Sequence, residues 1–236
     1  MFHGEAEGLR LLGLGSGCRV PTVVKATPHV LVLEWIEPGQ PSRSFARSLG
    51  RGLAKQHRYS MTAHHIGRTH GFTTDNFIGR TPQPNPQSTD WVAFFRDHRL
   101  GHQHSLLKAK GGSTLELDRA LDSVTNHLDR WLDHDEPPAL LHGDLWTGNA
   151  MADTDGAATI FDPAAYFGGR ETDLAMTELF GGFGGEFFAA YDEVYPLGPG
   201  YAERRDLYNL YHLLNHANLF GGSYVAQSLR VAQKYA

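Results

Sequence analysis

The stretch LLHGDLWTGNA, Leu140 to Ala150, sets Asp144 and Asn149 five positions apart, behind His142-Gly143 and on either side of Trp146. Asp, Asn and Gly are common turn residues, so the segment suits a plain loop as well as it suits two parts of a phosphoryl-transfer site. In such a site a loop aspartate takes the hydroxyl proton, an asparagine five residues on holds metal, and a later aspartate bridges metal to phosphate. Asp162 stands where that later aspartate is needed. Between them, Asp155-Gly156 favours a two-residue type I′ hairpin turn. That turn sets Asn149 opposite Asp162, with β-carbons about 4.5–5.5 Å apart. An amide oxygen and a carboxylate at that separation suit Mg²⁺, which completes its shell with water and substrate phosphates. The same register faces Met151 with Ile160, which serves either as a flat apolar floor for adenine or as ordinary core. A slip of one residue would put Asn149 and Asp162 on opposite faces.

These residues need elements to hold them. Residues 4–12 read as a short helix, and the runs from Val20 and from His29 as an antiparallel pair divided by the turn signal Thr27-Pro28. The break at Glu37 to Pro41 separates an N-terminal piece, 1–38, from a mainly helical body, 39–236. A helix is expected over Phe45 to His57. Three prolines at alternate positions stiffen TPQPNPQ, Thr81 to Gln87, into extended backbone, read as a surface crossing between helices in preference to a substrate gate. A further helix from Trp91 carries Val92, Phe94, Phe95 and Leu100. Leu117, Leu121, Val124, Leu128 and Trp131 form an apolar stripe at helical spacing that stops at Pro137-Pro138. Helices return from Thr172, and Phe180 to Phe188 reads as a glycine-rich helix break. The fold class expected is α+β.

Composition excludes several function classes. With 236 residues, 41% hydrophobic and 20% charged, at a formal net charge of −5, the chain is globular and ill suited to polyanionic partners. Its longest apolar run, His29 to Ile36, is far short of the roughly twenty residues that cross a bilayer. The start lacks a basic segment leading into a hydrophobic one, so no secretory signal is expected. The single cysteine, Cys18, rules out an internal disulfide framework and fits the cytoplasm. Among the fourteen histidines, His212 with His216 and His98 with His102 lie one helical turn apart. No third ligand is spaced to join either pair, and they read as structural or solvent-facing.

LLHGDLWTGN, followed by FDPAAYFGGRETDLAMTELFGGF, resembles the fructosamine/ketosamine kinase family, relatives of aminoglycoside and choline kinases within the protein-kinase-like fold. The likeness extends through LVLEWIEPG, DNFIGRTPQPNPQSTDWVAFFRDHRL and LYHLLNHANLFGGSY, nearly the whole chain. It implies a two-lobe fold and ATP- and Mg²⁺-dependent phosphorylation of a sugar hydroxyl on fructosamines or related ketosamines, whether on small amines or on proteins. By resemblance Asp144 matches the catalytic base, and Asn149 and Asp162 the metal ligands. Glu5 matches the helix glutamate that pairs with a phosphate-binding lysine. Glu34, Trp35 and Ile36 match the hinge whose backbone meets adenine, and Asp173 an acid that braces the catalytic loop. A ketosamine carries a protonated amine, so Trp146 and Glu171 are the candidates to receive it, with His212 to Asn218 as a wall. His142 is expected beneath Asp144, bonded to backbone.

Family members carry a glycine-rich strand-turn-strand and a lysine strand before the helix that holds Glu5, whereas this sequence reaches that helix at once. The N-terminal β lobe is therefore expected to be truncated. Reading Gly13 to Gly17 as the phosphate loop and Lys25 as its lysine fails, because no room remains for an intervening strand and Glu5 would precede both. Other classes in view are a non-catalytic, pseudokinase-like binding module, an aminoglycoside- or choline-type kinase, and a metal-dependent hydrolase.

Overall fold

The computed structural model describes residues 1–15, 17–62, 69–132 and 137–236. Helix α1 (Phe2–Leu14) buries Ala6, Leu9 and Leu12. It lies unusually close to its neighbours: a β-carbon on Gly4 would fall 2.7 Å from Asn76 Cβ, and one on Gly8 2.8 Å from Ala165 Cβ. Those two glycines, one turn apart, let the helix bring Glu5 against the segment that follows Asp162. Strands β1 (Val23–Ala26) and β2 (Leu31–Leu33) form the antiparallel pair read from the sequence.

Helix α2 (Phe45–Thr62) includes the expected helical run and continues beyond it. Strands β3 (Asn76–Ile78) and β4 (Thr81–Gln83) then pair as a hairpin. Here the sequence misleads: the Thr81 to Gln87 segment is no surface crossing, since Thr81, Gln83 and Asn85 are buried. Gln83 Nε2 donates to Asn76 Oδ1 and to the Ala164 carbonyl, Asn85 Nδ2 donates to Asn76 Oδ1, and Asn76 Nδ2 donates to the Ala165 carbonyl. Buried amides must be paired, and these pair with the backbone just beyond Asp162.

Helix α3 (Trp91–Phe95), capped by the Asp90 carboxylate on the Ala93 amide at 2.9 Å, passes into a π-helical segment, Arg96–Gly101, and then α4 (His102–Ala109). The wider turn carries Arg99 into the interior, where it donates to Asn85 Oδ1 at 2.7 Å and lies 3.8 Å from the Tyr166 ring centroid. Helix α5 (Leu115–Asn126) is capped by Thr114 and buries Leu117, Leu121 and Val124; α6 (Asp129–Leu132) follows.

Four short strands build the loop region. Strand β5 (Ala139–Leu141) pairs antiparallel with β8 (Tyr166–Gly168), enclosing the hairpin of β6 (Ala150–Ala152) and β7 (Ala158–Ile160). The hairpin register differs from the expected one. Ala150 pairs with Ile160 and Met151 with Thr159. The loop is three residues, not two: the Gly156 amide donates to the Asp153 carbonyl and the Asp153 amide to the Ala157 carbonyl, with Gly156 at φ 78°. Asp153 Oδ1 also accepts from the Asp155 and Ala157 amides, which favours this bulged turn over the tight one. Consequently Asn149 is opposite Phe161, whose amide donates to its carbonyl at 3.1 Å, and not opposite Asp162.

The chain closes with α7 (Glu171–Leu179), α8 (Gly185–Val194), α9 (Tyr201–Phe220) and α10 (Ser223–Tyr235). Helix α9 runs through the main core, burying Leu207, Tyr208, Leu210, Tyr211 and Leu214. A second core forms where α2 and α8 meet around Leu49, Leu53, Phe187 and Tyr191. No described helix is long and apolar enough to cross a membrane.

Candidate active site

The loop after β5 is held from below by one carboxylate. Asp173, fully buried on α7, accepts from the His142 amide at 2.7 Å and the Gly143 amide at 2.8 Å, with His57 Nε2 at 3.2 Å. These bonds hold the Asp173 carboxyl below its ordinary pKa against burial, which alone would raise it. Gly143 sits at φ 81°, and a β-carbon there would meet the Ala164 carbonyl at 2.2 Å, so the residue ahead of Asp144 has to be glycine. His142 lies under the loop. Its Nδ1 accepts from the Asp144 amide at 3.3 Å, which leaves Nε2 to carry the proton and donate to the Phe161 carbonyl at 3.0 Å. Burial pushes its pKa down, so the imidazole is a neutral strut between the Asp144 loop and the Asp162 segment.

Asn149 ends a short 3₁₀ turn, and its Nδ2 donates to the Asp144 carbonyl at 2.9 Å and to Asp144 Oδ2 at 3.3 Å. The Asp144 carbonyl can only accept, which fixes the amide with Oδ1 turned away from it. Asp162, one residue past the ladder, adopts φ 56°, the one positive φ at a non-glycine described residue. The left-handed backbone breaks the alternation of the strand, and the side chain lines a cavity of about 390 Å³ together with Glu5, Asp144 and Asn76. Asp162 thus lines this cavity, while Asn149 is not among its lining residues. Burial and then the Asp162 charge push Asp144 up to about 7 and Glu5 up to about 7.

Among the described residues no three His, Cys, Asp or Glu side chains are placed to hold a metal on their own. Mg²⁺ takes only one or two protein ligands beside phosphates and water, and Asn149 Oδ1 and an Asp162 oxygen are the two that would hold it here. The paired histidines do not compete. His216 Nδ1 lies 2.8 Å from the His212 carbonyl and His102 Nε2 2.9 Å from the Pro82 carbonyl.

A second cavity of about 390 Å³ is lined by Leu33, Glu34, Trp35, Ile36, Met151 and Phe161, with Pro21 and Pro38. Ile160 is not part of it. It is 1% exposed and packs in the α2–α8 core, because the true register turns Phe161 to the face of Met151. Sequence reasoning missed Phe161; the acceptor Asp153 ahead of Thr154-Asp155-Gly156 was the signal for the longer loop. The Glu34 carboxylate is tied to Arg19 at 2.8 Å and to Thr22. Among the described residues the Glu34 carbonyl and the Ile36 amide have no backbone partner, leaving an acceptor and a donor beside the cavity. Trp35, 79% exposed, donates from Nε1 to Glu37.

A third cavity, about 380 Å³, lies on the other side of Asp144 and is lined by Trp146, Met176, Phe180, Asn215, His216 and Tyr224 among others. Asp144 and Gly79 line both this cavity and the acidic one. Trp146 is therefore beside Asp144, but Glu171 is not. It is 1% exposed and locked by Arg204, whose Nε and Nη2 donate to Oε2 at 2.7 Å and Oε1 at 2.6 Å. Glu171 is a buried brace between α7 and α9, not a receptor for substrate. Glu171→Ala, which leaves that guanidinium largely buried, is expected to cost about 3–5 kcal/mol in denaturant unfolding.

The comparisons with known proteins agree on one kinship. The family model described as "Fructosamine kinase" matches residues 1–236. A chloroplastic protein-ribulosamine 3-kinase of rice, Oryza sativa subsp. indica, is 40% identical over 240 residues, which cover 100% of this chain and 68% of that one. The crystal structure of a fructosamine-3-kinase homologue from Thermobifida fusca has a TM-score of 0.90 at 35% identity, covering 98% of this chain and 78% of its own. An ADP-bound aminoglycoside phosphotransferase gives 0.62 at 15% identity, covering 99% and 82%. At that identity the likeness concerns the fold alone, which is α+β and protein-kinase-like.

Proposed function

Because the chain belongs to the fructosamine kinase family, we infer that it transfers the γ-phosphoryl group of ATP to a sugar hydroxyl of a fructosamine or related ketosamine. The observation that carries the assignment of roles is the position of Asp144, which lines an acidic cavity on one side and an aromatic one on the other. A phosphoryl donor held in the first and a sugar in the second would meet at its carboxylate. With a pKa near 7, Asp144 is matched to accept the sugar hydroxyl proton as the oxygen attacks phosphorus and the bond to ADP breaks. Asn149 Nδ2 and the Asp144 amide bond to His142 hold the base in place.

Magnesium held by Asn149 and Asp162 would neutralise charge on the transferred phosphates. Glu5, across the same cavity, is placed to orient a cationic group toward them. Adenine is assigned to the cavity where segment 1–38 meets body 39–236, its edge against the Glu34 carbonyl and Ile36 amide and its face on Met151 and Phe161. Phe161→Ala is then expected to raise the Kd for ADP about tenfold in calorimetry while leaving ketosamine binding unchanged. The acceptor is a small ketosamine or a glycated protein. The negative net charge argues against nucleic acid, and the single buried cysteine suits a reducing compartment such as the cytoplasm.

Phosphorus NMR of the protein with ATP, Mg²⁺ and fructosyl-lysine tests the assignment. Equal amounts of ADP and a new sugar phosphate are expected. Unchanged ATP, or ATP hydrolysed without a sugar phosphate, would overturn it.

A further inference from the structure

The aromatic cavity holds a histidine whose state is set by its own helix. From Trp146, beside Asp144, ring contacts run to Phe180 at 6.2 Å, from Phe180 to His216 at 4.8 Å, and from His216 to Tyr224 at 5.0 Å. His216 is the centre of this chain of rings. Its Nδ1 faces the His212 carbonyl at 2.8 Å. A carbonyl only accepts, so the proton is on Nδ1 and Nε2 keeps a lone pair. The ring lines the cavity with Nδ1 turned back along α9, which leaves Nε2 on the edge away from the helix, without a hydrogen-bond partner among the described residues. Among the described residues lining this cavity there is no Lys or Arg, and no carboxylate besides Asp144.

We propose that His216 is the specificity-determining residue for the amine of the substrate: Nε2 accepts its N–H while the Phe180 and Tyr224 ring faces carry its positive charge. The inference rests on the ketosamine reading above and adds to it a preference within that class. With Asp144 occupied by the hydroxyl to be phosphorylated, the remainder of the substrate extends along the rings, and its ammonium meets π faces and the neutral His216 acceptor. Burial lowers the His216 pKa and so keeps the ring an acceptor near neutrality, where a protonated imidazole would repel the ammonium. Amines that carry an N–H are favoured over quaternary ones of equal charge, and an amine flanked by a carboxylate finds no cation to receive that second group.

Calorimetric binding of two probes to the protein separates the terms. One is fructosyl propylamine, whose ammonium donates a hydrogen bond, and the other is its N,N-dimethylated quaternary counterpart, which has the charge without the donor. The unsubstituted protein is expected to favour the first by at least tenfold. His216→Phe keeps a ring in the cluster and should erase that preference by weakening the first probe alone. His216→Gln, whose Oε1 reaches about as far as Nε2, should restore part of it. Unchanged ADP affinity and thermal midpoint mark both variants as folded. If His216→Phe keeps the preference, the assignment of His216 is wrong while phosphate transfer to fructosyl-lysine still stands. If the unsubstituted protein binds neither probe, both this inference and the ketosamine reading fall.

Discussion

Asp144→Asn is expected to lower kcat for ketosamine phosphorylation by two to four orders of magnitude, about the range attributed to a positioned general base. The same substitution should raise the thermal midpoint in magnesium-free buffer at pH 8. The carboxyl is pushed from 3.8 up to about 7 by burial and by Asp162, so the folded protein holds a proton there that the unfolded chain has lost. Between those two values stability falls as pH rises, and above about 7 the whole penalty is present. A shift of that size corresponds to roughly 4 kcal/mol at most, the larger part from burial and the rest chiefly from the Asp162 charge. Removing the charge should therefore raise the midpoint by on the order of 5 °C at pH 8 and by almost nothing at pH 4. Asparagine keeps an acceptor for the Asn149 amide, so the gain is not lost to a broken bond. Calorimetric scans at both pH values decide it, and an equal change at each would refute the electrostatic origin.

Asp173→Asn should act in the opposite sense. The carboxylate accepts from two backbone amides and faces His57, all in the interior. An asparagine offers one oxygen and sets an NH₂ against a donor. The expected cost is about 3 kcal/mol or more at pH 7, because buried donors lose their partner. Since the folded-state pKa of Asp173 is depressed, its contribution is present above the unfolded value near 4 and is lost as pH falls through the lower folded value. The variant and the unsubstituted protein should therefore converge in denaturant stability in strong acid. Because the bonds hold the turn just before Asp144, kcat should fall as well, with little change in the Kd for ADP.

The candidate catalytic stretch could be singled out because its residues are local: Asp144 and Asn149 lie five positions apart and bond to each other, and most of the helices around them follow from plain periodicity. What the sequence obscured were choices settled by side-chain bonds to the backbone. Asp153 caps its own turn and shifts the β6–β7 register by one, which exchanges Ile160 for Phe161 in the floor of the Met151 cavity. Asp162 still reaches the acidic cavity, through a left-handed backbone that no pattern of hydrophobicity announces. The prolines of Thr81 to Gln87 signalled extended chain correctly but not its burial, which depends on Asn76, Gln83, Asn85 and Arg99 pairing at long range. Glu171 looked available because an acidic residue at a helix start usually faces water, and its partner Arg204 lies a full helix away.

The most direct measurement is the position of a divalent ion. Anomalous scattering from crystals grown with Mn²⁺ and a non-hydrolysable ATP analogue should show an ion bonded to Asn149 Oδ1 and an Asp162 oxygen at about 2.0–2.3 Å, with phosphate oxygens completing its shell. The γ-phosphate should face Asp144 across the boundary of the two cavities. An ion bound away from both residues, or a nucleotide whose phosphates lie outside the cavity of Glu5, Asp144 and Asp162, would contradict the site.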